Sequence, residues 1–308
     1  MNQTIIKDEA HWHELRAKNI GASEAAVLFD VSPYKTKFTL WCEKAGKIKA
    51  DTKDNARMLA GRVFEQGIAR GLNQSYDAKI HIPQQQVYLS NGSGLGATPD
   101  AWVTRTLTSG KEIQCPVDLK FMSYQKYKED VLQDDGTHKC PLHYAIQLQQ
   151  QMLLSGAHLS YLGVYVESKG FLPLIEVKEN AGFGKKLLEA SAAFWKSIKE
   201  NKAPPVVGDD RAALSELLKI QGKTDKVIEL HDVDAIGYAD EYLDLKAKIK
   251  ALKDKQETAL AKLSKIIQDS GSDVALLPNA TIKVVTRNIP QHIVKERTDT
   301  FISISKAK

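Results

Sequence analysis

The sequence predicts an α/β or α+β fold with a helical extension at its C-terminal end. Three observations carry that expectation. Apolar residues recur at helical spacing through the N-terminal region, most clearly over Asn55–Leu72. Strand-like runs then crowd between Lys79 and Phe121 and again between Leu159 and Val177, with one helical pattern, Leu142–Leu154, set between them. Beyond Ala203-Pro204-Pro205 the chain becomes rich in Ala, Leu, Lys, Glu and Asp.

In chain order, helices are expected over Glu9–Lys18, Ser23–Phe29, Phe38–Ala45 and Asn55–Leu72. Strands follow over Lys79–Leu89, Leu95–Val103 and Ile113–Phe121, then the helix Leu142–Leu154. Leu159–Glu167 and Phe171–Val177 are apolar runs split by Ser168-Lys169-Gly170, which reads as a hairpin. The helix Gly184–Lys199 closes this region, because proline lacks an amide donor and clashes with the preceding turn. Residues 1–205 are therefore expected as one domain and 206–308 as an extension. In the extension Leu243, Leu245, Ile249, Leu252, Leu260, Leu263 and Ile267 lie at roughly helical spacing. They predict one long amphipathic helix over Tyr238–Gln268, stopped by Ser270-Gly271-Ser272. A strand pair, Val274–Leu277 and Thr281–Thr286, is expected around Pro278-Asn279.

Composition narrows the class. With 308 residues, 43% hydrophobic and 26% charged, the chain can bury a large core and is neither disordered, collagen-like nor a disulfide scaffold. No apolar run approaches the ~20 residues of a membrane span. Lys7, Asp8, Glu9, His11 and Glu14 are too charged for a secretory signal, so a cytoplasmic protein is expected. Cys42, Cys115 and Cys140 form no CxxC pair, which points to neither a zinc site nor a disulfide framework. A net charge of +5 is a mild push toward polyanionic partners.

Four stretches carry the chemistry: Gly61-Arg62-Val63-Phe64-Glu65, Gly96-Ala97-Thr98-Pro99-Asp100, Pro116-Val117-Asp118-Leu119-Lys120, and His143 to Gln150. Asp118 and Lys120, two apart on a strand, share one face, while Leu119 points to the opposite layer. If Asp100 borders the neighbouring strand, two carboxylates and an ammonium converge. Close carboxylates resist ionisation unless a cation neutralises them, and Mg²⁺ takes such oxygen ligands together with phosphate oxygens. Glu65 adds a third acid on a mostly apolar helix face with Met58, Gly61, Ile68, Ala69 and Leu72. Taken singly, each has a plainer reading: a D-x-K surface ion pair, a Pro-Asp turn, and a Glu65 paired with Arg62 or Arg57. Their order and spacing as a set favour the chemical reading.

This arrangement resembles the PD-(D/E)xK nuclease core, and more narrowly the phage lambda-exonuclease, or YqaJ-like viral recombinase, family. The resemblance opens at Trp12-His13-Glu14-Leu15-Arg16 and Ile20-Gly21-Ala22-Ser23-Glu24 and runs through the four stretches, from roughly Ala10 to Lys199. It implies a central mixed sheet flanked by helices. It implies catalytic roles for Glu65, Asp100, Asp118 and Lys120, with metal held by Asp100, Asp118 and the main-chain carbonyl of Leu119. Arg16, Ser23, Thr98 and Gln147 are implied to hold the 5′-phosphate of a DNA end. Thr98 stands where some relatives carry serine, and Asp118 where many carry glutamate.

The implied activity is Mg²⁺-dependent, two-metal hydrolysis of double-stranded DNA from its ends, 5′ to 3′, exposing 3′ single strands for recombination, with Mn²⁺ as a possible substitute. The resemblance further implies a homo-oligomeric ring, commonly a trimer, a single-strand annealing protein as partner, and a phage or prophage origin in a bacterial cytoplasm. Residues 206–308 are expected to serve oligomerisation or partner docking. An endonuclease on the same core and a non-catalytic DNA-end-binding protein are the alternatives. An iron–sulfur nuclease is disfavoured, since it needs four cysteine ligands.

Independently of the family, Arg16 offers a planar fork of donors for phosphate oxygens, or else an ion pair with Glu14 or a neighbouring helix. Ser23 precedes a helix and can present a hydroxyl to an anion. Lys35, Lys37, Lys44, Lys47 and Lys49, with Phe38 and Trp41 interleaved, either track a DNA backbone or form a solvated helix face. Gln149, Gln150 and Gln151 are read as helix surface and packing.

Overall fold

The computed structural model describes residues 2–50, 56–76, 78–106, 109–167, 170–171, 174–222 and 226–286. The chain divides into two compact units, Met1–Leu217 and Leu218–Lys308. The expected residues Asn55, Ser168 and Lys169, and the side chains of Arg57 and Met58, lie outside the described set.

The first unit opens with β1 (Asn2–Ile5), α1 (Glu9–Ala17), β2 (Ile20–Gly21) and a 3-10 helix, Ala22–Phe29. Then come α2 (Lys37–Lys44), α3 (Ala56–Tyr76), β3 (Ile80–His81), β4 (Val87–Ser90), β5 (Leu95–Ala97), β6 (Ala101–Thr106) and β7 (Glu112–Met122). After α4 (Tyr124–Asp130) and α5 (Leu142–Ser155) the chain forms β8 (Leu159–Val166), β9 (Gly170–Phe171), β10 (Ile175–Lys178), α6 (Ala181–Lys199) and α7 (Arg211–Gln221). Short polar side chains start several helices: Asp8, Thr36, Ser123 and Asn180 each accept a hydrogen bond from the amide three residues on.

The larger sheet runs β10-β8-β7-β6-β3, with β9 also on β8. Its one parallel pair is β7 with β8, so the sheet is mixed, as expected. Side-chain alternation splits it into two packed faces. On one, Ile68, Ala69 and Leu72 of α3 meet Ala101, Val103, Val117, Leu119 and Tyr161. On the other, Leu148 of α5 meets Met122, Leu162, Val164 and Val166. Gly163 allows the close approach of α3: a Cβ there would lie 2.6 Å from Leu72 Cδ1 and 2.9 Å from Leu119 Cδ2. The second sheet, β1-β4-β5-β2, packs with the 3-10 helix, α2 and α6 in a separate core cluster.

Two expected strands are each divided between the sheets. Lys79–Leu89 becomes β3 in the larger sheet and β4 in the smaller, parted around Pro83. Leu95–Val103 becomes β5 and β6, parted at Thr98-Pro99-Asp100. A proline supplies no ladder donor, so a run of strand-forming residues is interrupted where it falls. Among the described residues, β1, β2, α4, the 3-10 turn Gly208–Asp210 and α7 escaped sequence reading.

The first unit reaches beyond residue 205. Asp210 is fully buried and accepts from the Thr39 hydroxyl at 3.0 Å, the Val207 amide at 2.8 Å and the Thr36 hydroxyl, while Ala213 joins the core. In the second unit α8 (Val233–Ser270) starts from Asp232, which accepts from the Ala235 amide, and ends at Gly271 with φ +64°. The strands β11 (Val274–Leu276) and β12 (Thr281–Lys283) pair antiparallel after it. A long helix followed by a hairpin is the expected pattern. Among the described residues no helix is long and apolar enough to cross a membrane.

Candidate active site

The break at Pro99 sets up the site. It leaves Asp100 at the entrance of β6, beside β7, where its Oδ2 accepts from the Leu119 amide at 2.9 Å. One residue either way along β7, Asp118 and Lys120 point to the α5 face, as the two-residue period requires. Asp118 is fully buried, and Lys120 Nζ lies 2.5 Å from its Oδ2. Gln147 Nε2 on α5 donates to Asp118 Oδ1 at 2.5 Å, and Gln151 Nε2 reaches the same oxygen at 3.5 Å.

Glu65 arrives from α3, half-buried, and interacts electrostatically with Lys120, Asp118 and Asp100. The fold thus gathers the four expected catalytic residues from three separate elements.

Their electrostatics are coupled. Burial and the neighbouring Asp118 push the Asp100 carboxyl up to about 8, against the pull of Lys120. Burial likewise raises Glu65. Burial opposes a charged Lys120, but Asp118 and Asp100 outweigh it and hold the ammonium above its usual range. Lys120 is therefore a protonated donor at neutral pH.

A second cluster lies around the Gly21-Ala22-Ser23-Glu24 turn. Arg16 stacks on Trp12, its Cζ 4.7 Å from the ring, and Trp12 Nε1 donates to the Thr98 hydroxyl at 3.2 Å. Arg16 is thereby tied to the segment that carries Asp100. Its ion-pair partner is Glu24, at 3.3 Å, rather than Glu14. Glu24 is buried and also meets Lys44 at 2.8 Å and Lys35 at 3.8 Å, while its Oε2 accepts from the Gly21 amide at 2.9 Å. Burial alone would raise this carboxyl, but Lys44, Arg16 and Lys35 together hold it down to about 2. Ser23 is exposed beside them.

The basic stretch is divided, with Lys47 and Lys49 exposed and the other three lysines paired with acids. Lys35 pairs with Glu43 at 2.5 Å, Lys37 with Asp30 at 2.8 Å, Lys44 is buried on Glu24, and Phe38 and Trp41 lie in the core. Gln150 and Gln151 are also not surface. Both are fully buried, and Gln150 Nε2 donates at 2.8 Å to the carbonyls of Ile20 and Gly96, joining the two site-bearing turns. Sequence reading also passed over Glu24. Its signal was its place three residues after Gly21, where an acid can reach back to the turn's free amide.

Among the described residues no group of three His, Cys, Asp or Glu side chains stands ready to hold a metal ion. The donor set nevertheless suits a hard divalent cation. Asp100 and Asp118 are oxygen donors set close enough that Asp118 helps push Asp100 toward its neutral form, and a bound cation would relieve that conflict.

Residues 11–158 match the family model of the YqaJ-like viral recombinase domain. This segment is a YqaJ-like viral recombinase domain. The resemblance read from the motifs is borne out, over a span that ends near the start of β8. Uncharacterized protein YqaJ of Bacillus subtilis is 22% identical over 240 residues, covering 74% of this chain and 68% of that protein. Protein D345L of African swine fever virus is 25% identical over 178 residues, covering 51% of this chain and 48% of its own length. Among solved structures, an alkaline exonuclease from Laribacter hongkongensis aligns with a TM-score of 0.49 and 16% identity, covering 63% of this chain and 94% of that one. In the YqaJ-like domain, Asp100 stands just before β6 and Asp118 and Lys120 on the adjacent β7, in a mixed sheet packed by α3 and α5. The family match supports a nuclease function.

Proposed function

We propose that the chain is a metal-dependent exonuclease that enters at double-stranded DNA ends and degrades one strand 5′ to 3′, exposing the 3′ strand for recombination. The observation that carries this is the buried Asp118, gripped by Lys120 and Gln147, with Asp100 on the adjoining strand of a YqaJ-like domain.

Asp100, Asp118 and the Leu119 carbonyl are the groups that would hold Mg²⁺, two ions in the family pattern, with Mn²⁺ as a substitute. The cation, when bound, supplies Lewis-acid polarisation of the phosphodiester and activation of water. Lys120, kept protonated, orients the attacking water and offsets charge that builds on the phosphate. Glu65 supports the lysine from the α3 side. Arg16, flattened on Trp12, presents its guanidinium to a terminal 5′-phosphate, with the exposed Ser23 hydroxyl and Thr98 as further donors. Thr98 accepts from Trp12 and so keeps its own hydroxyl hydrogen for the phosphate. Gln147 has two amide hydrogens: one is on Asp118, and the second is available to the same phosphate. Lys35 and Lys37, 27% and 31% exposed beside their acid partners Glu43 and Asp30, are the cations assigned to the DNA backbone.

A homo-oligomeric ring, a single-strand annealing partner and a bacterial cytoplasmic setting complete the proposal, with the C-terminal extension as the segment for assembly or docking.

The test is degradation of linear duplex DNA in Mg²⁺, with and without a 5′-phosphate, beside a closed circular duplex and an Asp100→Ala variant. Loss of the linear, phosphorylated DNA alone, abolished by the variant, supports the proposal. Cutting of the circle supports an endonuclease. Binding of ends without cleavage in any divalent metal supports a non-catalytic end-binding protein.

A further inference from the structure

Tyr34 has no part in the machinery described so far. It stands on the loop between the 3-10 helix and α2, with 68% of its surface exposed. A single exposed ring is ordinary, so exposure by itself says nothing. Its neighbours are informative. The Tyr34 hydroxyl lies 3.2 Å from that of Tyr144, and its ring meets His143 edge-on with centroids 5.8 Å apart. His143 in turn packs on Tyr144 at 4.0 Å, and the Lys120 ammonium sits 5.2 Å from the Tyr144 ring centroid. A continuous aromatic path therefore leads from the catalytic lysine to the surface. Two cations flank it, each beside an acid: Lys35, paired with Glu43, follows Tyr34 in the chain, and Lys126, 2.8 Å from Asp130, also interacts electrostatically with the Tyr34 hydroxyl.

Open aromatic faces beside positive charge are how proteins take hold of unpaired nucleotides: the ring stacks on a base while cations meet the phosphates. Any base has a π-face, so such a platform imposes no sequence. Here one side chain, Tyr144, separates Lys120 from Tyr34, a spacing suited to a nucleotide whose phosphate is at the lysine and whose base lies outward.

We propose that Tyr34, braced by His143 and Tyr144, is a stacking platform for an unpaired base of the DNA strand end, adjacent to the phosphate that is cleaved. The proposal rests on the nuclease reading of the site. The contending role for Tyr34 is a hydrogen-bonded prop for its own loop, which needs the hydroxyl rather than the ring.

The experiment measures the half-saturating concentration of linear duplex DNA for Mg²⁺-dependent cleavage by the full-length protein. Wild type, Tyr34→Ala and Tyr34→Phe are each given ends with an ordinary terminal nucleotide or with an abasic one. Stacking predicts that Tyr34→Ala raises half-saturation about tenfold on ordinary ends, that the abasic end weakens wild type by a like factor, and that the two losses together are no larger than either alone. Tyr34→Phe, which keeps the ring, should stay within about threefold of wild type, because stacking needs the ring and not the hydroxyl. Losses that multiply, a Tyr34→Phe as weak as Tyr34→Ala, or no loss in Tyr34→Ala would each overturn the platform while leaving the nuclease reading intact. A wild type that cleaves no linear duplex overturns both.

Discussion

Gln147 and Lys120 hold Asp118 through different carboxylate oxygens, each at 2.5 Å. The acid is fully buried, so its position is set by β7 and by these two partners, with Gln151 a longer third contact. Substituting groups that orient a ligating residue typically costs ten- to a hundredfold in activity, on the order seen for outer-shell partners. Gln147→Leu is therefore expected to lower the cleavage rate by roughly that factor on phosphorylated and unphosphorylated ends alike, with a further loss of preference for the phosphorylated one. Single-turnover rates on the two substrates check it, and an unchanged rate on unphosphorylated ends would show that the contact to Asp118 is idle.

Removing the cation should be visible without any activity. Binding that favours the folded state raises the melting temperature by mass action. Millimolar Mg²⁺ is expected to raise it for wild type, and chelation to reverse the rise. Asp118→Asn should show a much smaller response, read by calorimetry in the absence of DNA.

Glu24 makes part of the stability acid-sensitive. Its carboxyl lies at about 2 in the fold against an ordinary value of 4.5. A depressed acid contributes stability that is complete above the unfolded value and fades as pH falls toward the folded one. The contribution is on the order of 3 kcal/mol and is lost between about pH 4.5 and pH 2. Urea unfolding at pH 7, 4 and 3 should show this loss in wild type. Glu24→Gln should be less stable at pH 7 and flatter with acid, because Arg16, Lys35 and Lys44 then repel one another uncompensated.

The Gly163 backbone is pressed by Leu72 and Leu119. Gly163→Ala is expected to destabilise by about 1–3 kcal/mol through overpacking. If Leu72 yields by moving α3 rather than by turning its own terminal methyl, Glu65 on the same helix should shift and cleavage should weaken beyond the stability loss. Unfolding and cleavage rates measured on the same preparation separate the two.

Where the first unit ends is also testable. A chain cut after residue 217 keeps the buried Asp210 with its bonds to Thr36, Thr39 and Val207, whereas one cut after residue 205 loses them and leaves Thr36 without its buried acceptor. The shorter fragment should be less stable by about 2–4 kcal/mol, since each buried group left without its partner costs about 1–3 kcal/mol. Equal stabilities would place the boundary at 205.

Much of the fold was legible in the chain because local rules governed it. The helix over α3, the two-residue period that puts Asp118 and Lys120 on one face, and the stop at Gly271 each follow from nearby residues. The carboxylate and lysine motif was legible for the same reason, its members being tied to short, recognisable stretches. The division of Leu95–Val103 between two sheets was not, although Pro99 marked the place, because strand-forming residues on either side do not say which partner each will choose. The glutamines were misjudged in a related way. A polar residue on a helix looks solvated until the turn from Ile20 and the turn from Gly96 are brought onto it.

By itself, then, the sequence determined most of the helices, the residue types of the site and the resemblance that residues 11–158 bear out. Tertiary structure decided which charges meet. Glu24 gathering Arg16, Lys35 and Lys44, and Gln147 gripping Asp118, are contacts between separate elements. Periodicity reports the face on which a side chain stands. Only the packing of faces against one another sets its partner, and in a water-poor interior the partner decides its charge.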